Sequence, residues 1–129
     1  MTDAATTFDF EDGNGPVPAH RHVNPDGTSG GWVADTANVA DTATIDRNAR
    51  VYGTAEVCGN AWVSDDAWVS DNARVYDDAW VFGTAEVSGN AWVFGIAWVF
   101  GNAEVYGTAR VYGAAEVYDD ARVSEGTHR

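Results

Sequence analysis

The chain has 129 residues, enough for one ordinary core and too few for two. It carries 20 acidic residues against 7 basic ones, all of them Arg, for a formal net charge of −13. A surface this acidic repels phosphate backbones and anionic bilayers, so no nucleic acid and no membrane is expected as a partner, and the charge reads first as a solubility device.

Residues 1–31 follow no period. Gly13-Asn14-Gly15-Pro16, Pro18, Pro25 and Gly30-Gly31 break it up, and Phe8 and Phe10 are its apolar anchors. The expectation is an irregular N-terminal arm or cap rather than a second domain. Met1-Thr2-Asp3-Ala4 has neither a basic flank nor an apolar core, so no signal peptide is visible, and no apolar run reaches membrane-spanning length. The expected location is therefore soluble and cytoplasmic. His20-Arg21-His22 is a weak metal candidate: two His ligands do not define a site, and a third would have to come from Asp26 or His128.

From Trp32 onward a period of six takes over. Val33, Val39, Ile45 and then Val at every sixth position to Val123 recur without an insertion, and Ala lies two residues before each from Ala37 to Ala121. Two residues apart on an extended chain point to one side, so Ala and Val face inward and their neighbours outward. Gly or Asp followed by Asn, Thr or Asp supplies a bend. A hexad leaves no room for a hairpin return. Coiling in one direction remains, each strand pairing with its equivalent one coil later. Residues 32–123 are thus expected to form the coil and 124–129 a short tail. Cys58 stands where other repeats hold Ser, Tyr or Phe, which reads as a filler, and a single Cys excludes an intrachain disulfide.

This Ala-x-Val-x-[Gly/Asp]-[Asn/Thr/Asp] unit resembles the hexapeptide repeat of the bacterial acyltransferase superfamily, over residues 32–123. It is especially similar to the uncharacterised, loop-free hexapeptide proteins of bacteria and their phages, which adds a virion component as an alternative location. The resemblance implies an all-β, left-handed parallel β-helix of triangular section, with three hexads per turn and about five coils. It also implies trimers packed through flat faces. The superfamily's acyltransferases use a His base beside a coenzyme A site, and its carbonic anhydrases bind zinc through three His. Between Trp32 and Val123 this chain has no His. No catalytic residue and no cofactor are therefore expected, and a hexapeptide acyltransferase is the least favoured activity.

With eighteen residues per turn, outward residues sort into columns. One face is expected to carry Trp62, Trp80 and Trp98 between Thr44 and Glu116, with Phe82, Phe100 and Tyr118 beside them below Asp46 and Ser64. Round the preceding corner lie Tyr76, Phe94 and Tyr112, with Trp92 adjacent and Ile96 on the bend. Elsewhere Arg50 falls between Trp32 and Trp68, and Arg74 between Glu56 and Trp92, orders that suit cation–π and ion-pair ladders. Three readings of the aromatic columns stand: ladders that stabilise the coil, an interface for a homo-oligomer with a trimer favoured, or a platform for a small-molecule ligand such as a sugar or nucleotide-like base. The expectation is a non-enzymatic structural or interaction protein, self-associating through these residues. Asp65-Asp66, Asp71 and Asp77-Asp78 mimic a calcium cluster, but the coil distributes them over three corners.

Overall fold

The computed structural model describes residues 7–10, 13 and 15–128. Strands β1 (Thr7–Asp9), β2 (Pro16–Val23) and β3 (Ser29–Ala34) come first. Two-residue strands then recur every six residues, from β4 (Asn38–Val39) to β18 (Arg122–Val123), and β19 (Thr127–His128) ends the series. No helix occurs among the described residues.

Each hexad strand pairs in parallel with the strand three hexads later, so three sheets enclose the chain in a parallel β-solenoid of about five turns. From β3 to β18 the registers sit eighteen residues apart, as in Trp62↔Trp80↔Trp98. At ~4.8 Å per layer the coil is roughly 25 Å tall. Its first face carries Trp32, Arg50, Trp68, Glu86, Glu104 and Arg122 as outward strand residues. The second carries Asn38, Glu56, Arg74, Trp92 and Arg110, and the third Thr44, Trp62, Trp80, Trp98 and Glu116.

The interior is only Ala, Val and Ile45. Every inward residue of the repeat from Ala43 to Val111 is at most 1% exposed. Small side chains are what a three-sided coil this narrow admits, and the stack gains stability from neighbour on neighbour rather than from a thick core. At every sixth residue from Gly53 to Asp119 the bend takes a left-handed backbone, supplied by Gly or by Asp65, Asp71, Asp77 and Asp119, whose φ values run from 56° to 60°. Asp has a second use there. The carboxylates of Asp65, Asp71 and Asp77 accept hydrogen bonds from the amides of Gly83, Gly89 and Gly95 at 3.0–3.2 Å, stitching one coil to the next. These acids are thus part of the corner, and no group of three His, Cys, Asp or Glu among the described residues is placed to hold a metal ion.

Segment 1–31, expected as an irregular cap or arm, holds two antiparallel strands. β2 pairs with β3 and β1 with β2, which continues the first sheet beyond the coil. Pro16 and Pro18 lie where β2 meets the short β1, positions that tolerate a missing donor. The end of β2 then crosses the open edge of the third sheet. There His22 Nε2 donates to the Ala43 carbonyl at 2.8 Å, and the Ile45 amide donates to Asn24 Oδ1 at 2.9 Å. Gly30 and Gly31 are small because the chain runs against the coil: a Cβ on Gly31 would stand 2.1 Å from the Ala49 carbonyl oxygen. The segment does the work of a cap, satisfying backbone groups an exposed edge would leave open. The tail also joins the coil, since Thr127–His128 extends the second sheet beside Arg110–Val111.

Candidate functional site

The repeat places one residue of each hexad strand and the residue after it on the outside, so each face shows two columns. On the third face the Trp62, Trp80 and Trp98 rings stack at 5.1 and 5.4 Å, nearly parallel. Phe82 stacks on Phe100 at 4.9 Å and Phe100 on Tyr118 at 5.5 Å. Edge-to-face contacts from Trp80 to Phe82, Phe82 to Trp98 and Trp98 to Phe100 knit the columns together. Offset stacks and edge contacts at these distances are the favourable arrangements of aromatic quadrupoles. The structure therefore joins all six residues expected on this face. Trp62, Trp80 and Trp98 are nevertheless 43%, 36% and 40% exposed, and Tyr118 48%.

Across the corner, Tyr76, Phe94 and Tyr112 stack at 4.8 and 5.1 Å, and Trp92 meets Tyr76 edge-on at 6.3 Å. Trp92 also lies between Arg74 and Arg110, whose guanidiniums stand 5.4 and 4.6 Å from its ring. Burial, and then the Asp77 carboxylate, push the Tyr76 hydroxyl above its ordinary pKa. Ile96, on the bend between the two aromatic groups, is 58% exposed. All ten expected aromatics fall into these two groups.

Residues 87–103 contain no charged residue, although the chain carries a net −13. In the coil this stretch is one turn, and its uncharged corners at Gly95-Ile96 and Gly101-Asn102 flank Trp98 and Phe100. The coil around Trp98 and Phe100 is thus uncharged, whereas Asp65-Asp66, Asp77-Asp78 and Asp119-Asp120 stand at the corners beside Trp62, Trp80 and Tyr118.

The first face was only partly foreseen. Arg50 does lie between aromatics, 5.2 Å from the Trp68 ring and 5.0 Å from Phe8. The arm adds what periodicity could not reveal. Phe8 stacks on Trp32 and Phe10 on Tyr52, both at 4.9 Å, and Arg21 lies 4.8 Å from the Trp32 ring. Phe10 ends 1% exposed in a satellite cluster with Ala19 and Ala34. The signal available in the sequence was two Phe in a segment otherwise poor in large apolar residues.

The weak metal candidates are occupied separately. His20 Nδ1 lies 2.7 Å from Asp35 Oδ1 at the surface, whereas His22 is buried against the Ala43 carbonyl. Asp26, one proposed third ligand, accepts bonds from the Thr28 hydroxyl and amide, which hold its carboxyl below the usual range. The side chain of His128, the other, lies outside the described residues. Cys58 is half-buried, and burial followed by the Glu56 charge raises its thiol pKa, a poor setting for a nucleophile.

Comparison with known proteins gives one match. A family model described as the YdcK beta solenoid repeat matches residues 67–83, close to one turn of the coil. Over that turn the chain is similar to a β-solenoid repeat, in agreement with the parallel coil. No curated protein and no solved structure matches the chain. No helix among the described residues is long and apolar enough to cross a membrane.

Proposed function

We propose that this β-solenoid is a non-enzymatic structural or interaction protein that self-associates through its third face, a trimer being favoured, as a building unit of a larger assembly. One observation carries the reading: Trp62, Trp80 and Trp98 form an ordered ladder that remains 36–43% exposed in the isolated chain. Monomers seldom show contiguous apolar patches beyond roughly 300–600 Å². Six rings on a flat face, at ~150–250 Å² of surface each with about two-fifths of it exposed at the Trp and Tyr118, present roughly 400–600 Å², the size at which a patch is often functional.

Charge selects the occupant. Two copies of a chain with net charge −13 repel wherever carboxylates meet. The region around Ile96, Trp98 and Phe100 is where they can approach without burying a charge. The molecule also shows what its aromatics do when a partner segment is present: on the first face Phe8 and Phe10 of the arm cover Trp32 and Tyr52. The third face has no such cover among the described residues.

The geometry weighs against the ligand platform. A sugar or base stacks on a free ring face, but here the Trp80 ring meets Trp62 on one side and Trp98 on the other at interplanar angles of 10–11°. Ring edges are left outward, a ribbed surface suited to packing against another flat surface. The non-enzymatic part of the reading rests on the sequence: residues 32–123 hold no His that could act as the base of the resembled acyltransferases.

Sedimentation of the wild type, Trp98→Asp and Tyr106→Asp tests the proposal. Tyr106 is 37% exposed on the first face and serves as the control. The expected result is an oligomer for wild type and Tyr106→Asp and a monomer for Trp98→Asp. A monomeric wild type, or an oligomer that Trp98→Asp leaves intact, overturns it.

A further inference from the structure

The seven Arg are unevenly placed. Arg21, Arg47 and Arg50 line one groove of about 380 Å³ on the first face, together with Phe8, Trp32 and Trp68. Asp66 is the sole carboxylate among its lining residues, in a chain where acids outnumber bases by 20 to 7. The volume falls within the range of small-molecule sites.

The groove has a built order. Successive strands present Arg21, Trp32, Arg50 and Trp68 in register, so cations and rings alternate from the arm into the coil. Arg21 is held by its 3.1 Å bond to the Gly30 carbonyl and by the Trp32 ring. Arg50 is held between Phe8 and Trp68. Those contacts explain two of the three cations as fasteners of the arm. Arg47 has no such role. It projects from the corner before Arg50, exposed, and its guanidinium has no partner among the described residues. Arg47 is thus a cation at the rim of an aromatic-walled groove, placed to meet an anion that enters it. The other Arg-bearing groove, around Trp92, has no equivalent: both its cations, Arg74 and Arg110, stack on that ring, and Arg74 also approaches Glu56 at 3.9 Å.

We infer that the first-face groove is a binding site for a small oxyanion, phosphate or carboxylate, carried on a ring or other apolar body. Arg47 and Arg21 supply charge-assisted donors to the oxyanion, and Phe8, Trp32 and Trp68 wall the apolar part. The site lies on a different face from the Trp62–Trp98 ladder and stands independently of self-association.

Phenyl phosphate, benzoate, inorganic phosphate and benzyl alcohol are suitable probes. They are titrated at low salt while the indole N–H resonances of the six Trp are followed, with Trp32→Phe and Trp68→Phe assigning two of them. Phenyl phosphate is expected to shift Trp32 and Trp68 and to leave Trp62, Trp80 and Trp98 in place, with a Kd on the order of 1 mM or below. Arg47→Gln is expected to weaken it about fivefold, the loss of one exposed charge-assisted contact. Arg122→Gln, on the same face but outside the groove, leaves the affinity unchanged. Equal binding of benzoate supports the site with carboxylate chemistry, and weaker binding assigns it to phosphate. The inference is overturned if nothing shifts Trp32 and Trp68, if Arg47→Gln binds as wild type does, or if benzyl alcohol or inorganic phosphate alone binds as tightly as phenyl phosphate.

Discussion

Val81 sits mid-coil, 0% exposed, between Val63 and Val99 in the adjacent turns. Val81→Ala removes two methyl groups from an interior that holds nothing larger than Ile. Their transfer contributes about 1.6 kcal/mol at ~0.8 kcal/mol per carbon. The void adds about 1 kcal/mol if some 40 Å³ stays unfilled at ~24 cal/mol per Å³. It will stay unfilled, because the neighbours are fixed Ala and Val side chains and the backbone is tied to the next turn by the bonds from Trp80 to Ala97 and from Phe82 to Val99, at 3.0 and 2.9 Å. The expected cost is about 2.5 kcal/mol, read from urea unfolding followed by circular dichroism. Val123→Ala is the internal comparison: Val123 is partly exposed in the last full strand, so the same deletion removes less buried surface and leaves a turn that frays without breaking the stack. Its expected cost is under about 1 kcal/mol. Equal costs at the two positions would refute the reasoning, since they would mean that stability does not depend on stacked neighbours.

Three further outcomes follow from the corners, the arm and the charges. Asp71→Ala loses both the acceptor for the Gly89 amide and a residue tolerant of the left-handed bend, and should cost about 1–2 kcal/mol, while Asp71→Asn stays within about 0.5 kcal/mol of wild type; thermal unfolding of the pair checks this. Phe10→Ala removes the ring that Tyr52 stacks on, so limited proteolysis should cut within residues 1–31 faster and leave the coil intact. Glu86 has its carboxyl pKa raised above 4.5 by burial and then by the neighbouring Glu104. A raised folded pKa means the charged form opposes folding, so this group's contribution is most favourable below the unfolded value and is lost as pH rises through the folded one. Glu86→Gln should therefore raise Tm slightly at pH 7 and have no stabilising effect near pH 3, and a larger gain at pH 3 would contradict the assignment.

What the sequence made legible was whatever repeats. A uniform six-residue period fixes which residues face inward and which share a column, so the ladders Trp62-Trp80-Trp98, Phe82-Phe100-Tyr118 and Tyr76-Phe94-Tyr112 could be written down before any coordinates. Segment 1–31 could not, because its contacts join positions with no period between them. Phe8 meets Trp32, Phe10 meets Tyr52, and Arg21 enters a column that otherwise belongs to the coil. The groove at Arg47 escaped notice for the same reason: one wall comes from the arm and the other from a corner. The Asp–Gly stitches were readable in principle, as Asp at a bend with Gly eighteen residues later, but their value appears only when both lie on one corner. Of the site itself, the composition of the third face was legible and the neutrality of its Trp98 coil was not, because lack of charge becomes a surface property only once residues 87–103 close into a turn.

The most direct test of the central claim is the mass of the wild-type protein in solution, measured by light scattering over a concentration series at physiological salt. A single chain is 13.8 kDa. Self-association through the Trp62, Trp80 and Trp98 face predicts a mass that is a whole multiple of that value, three being favoured, and that holds on dilution into the low micromolar range. A mass of one chain at every concentration would contradict it.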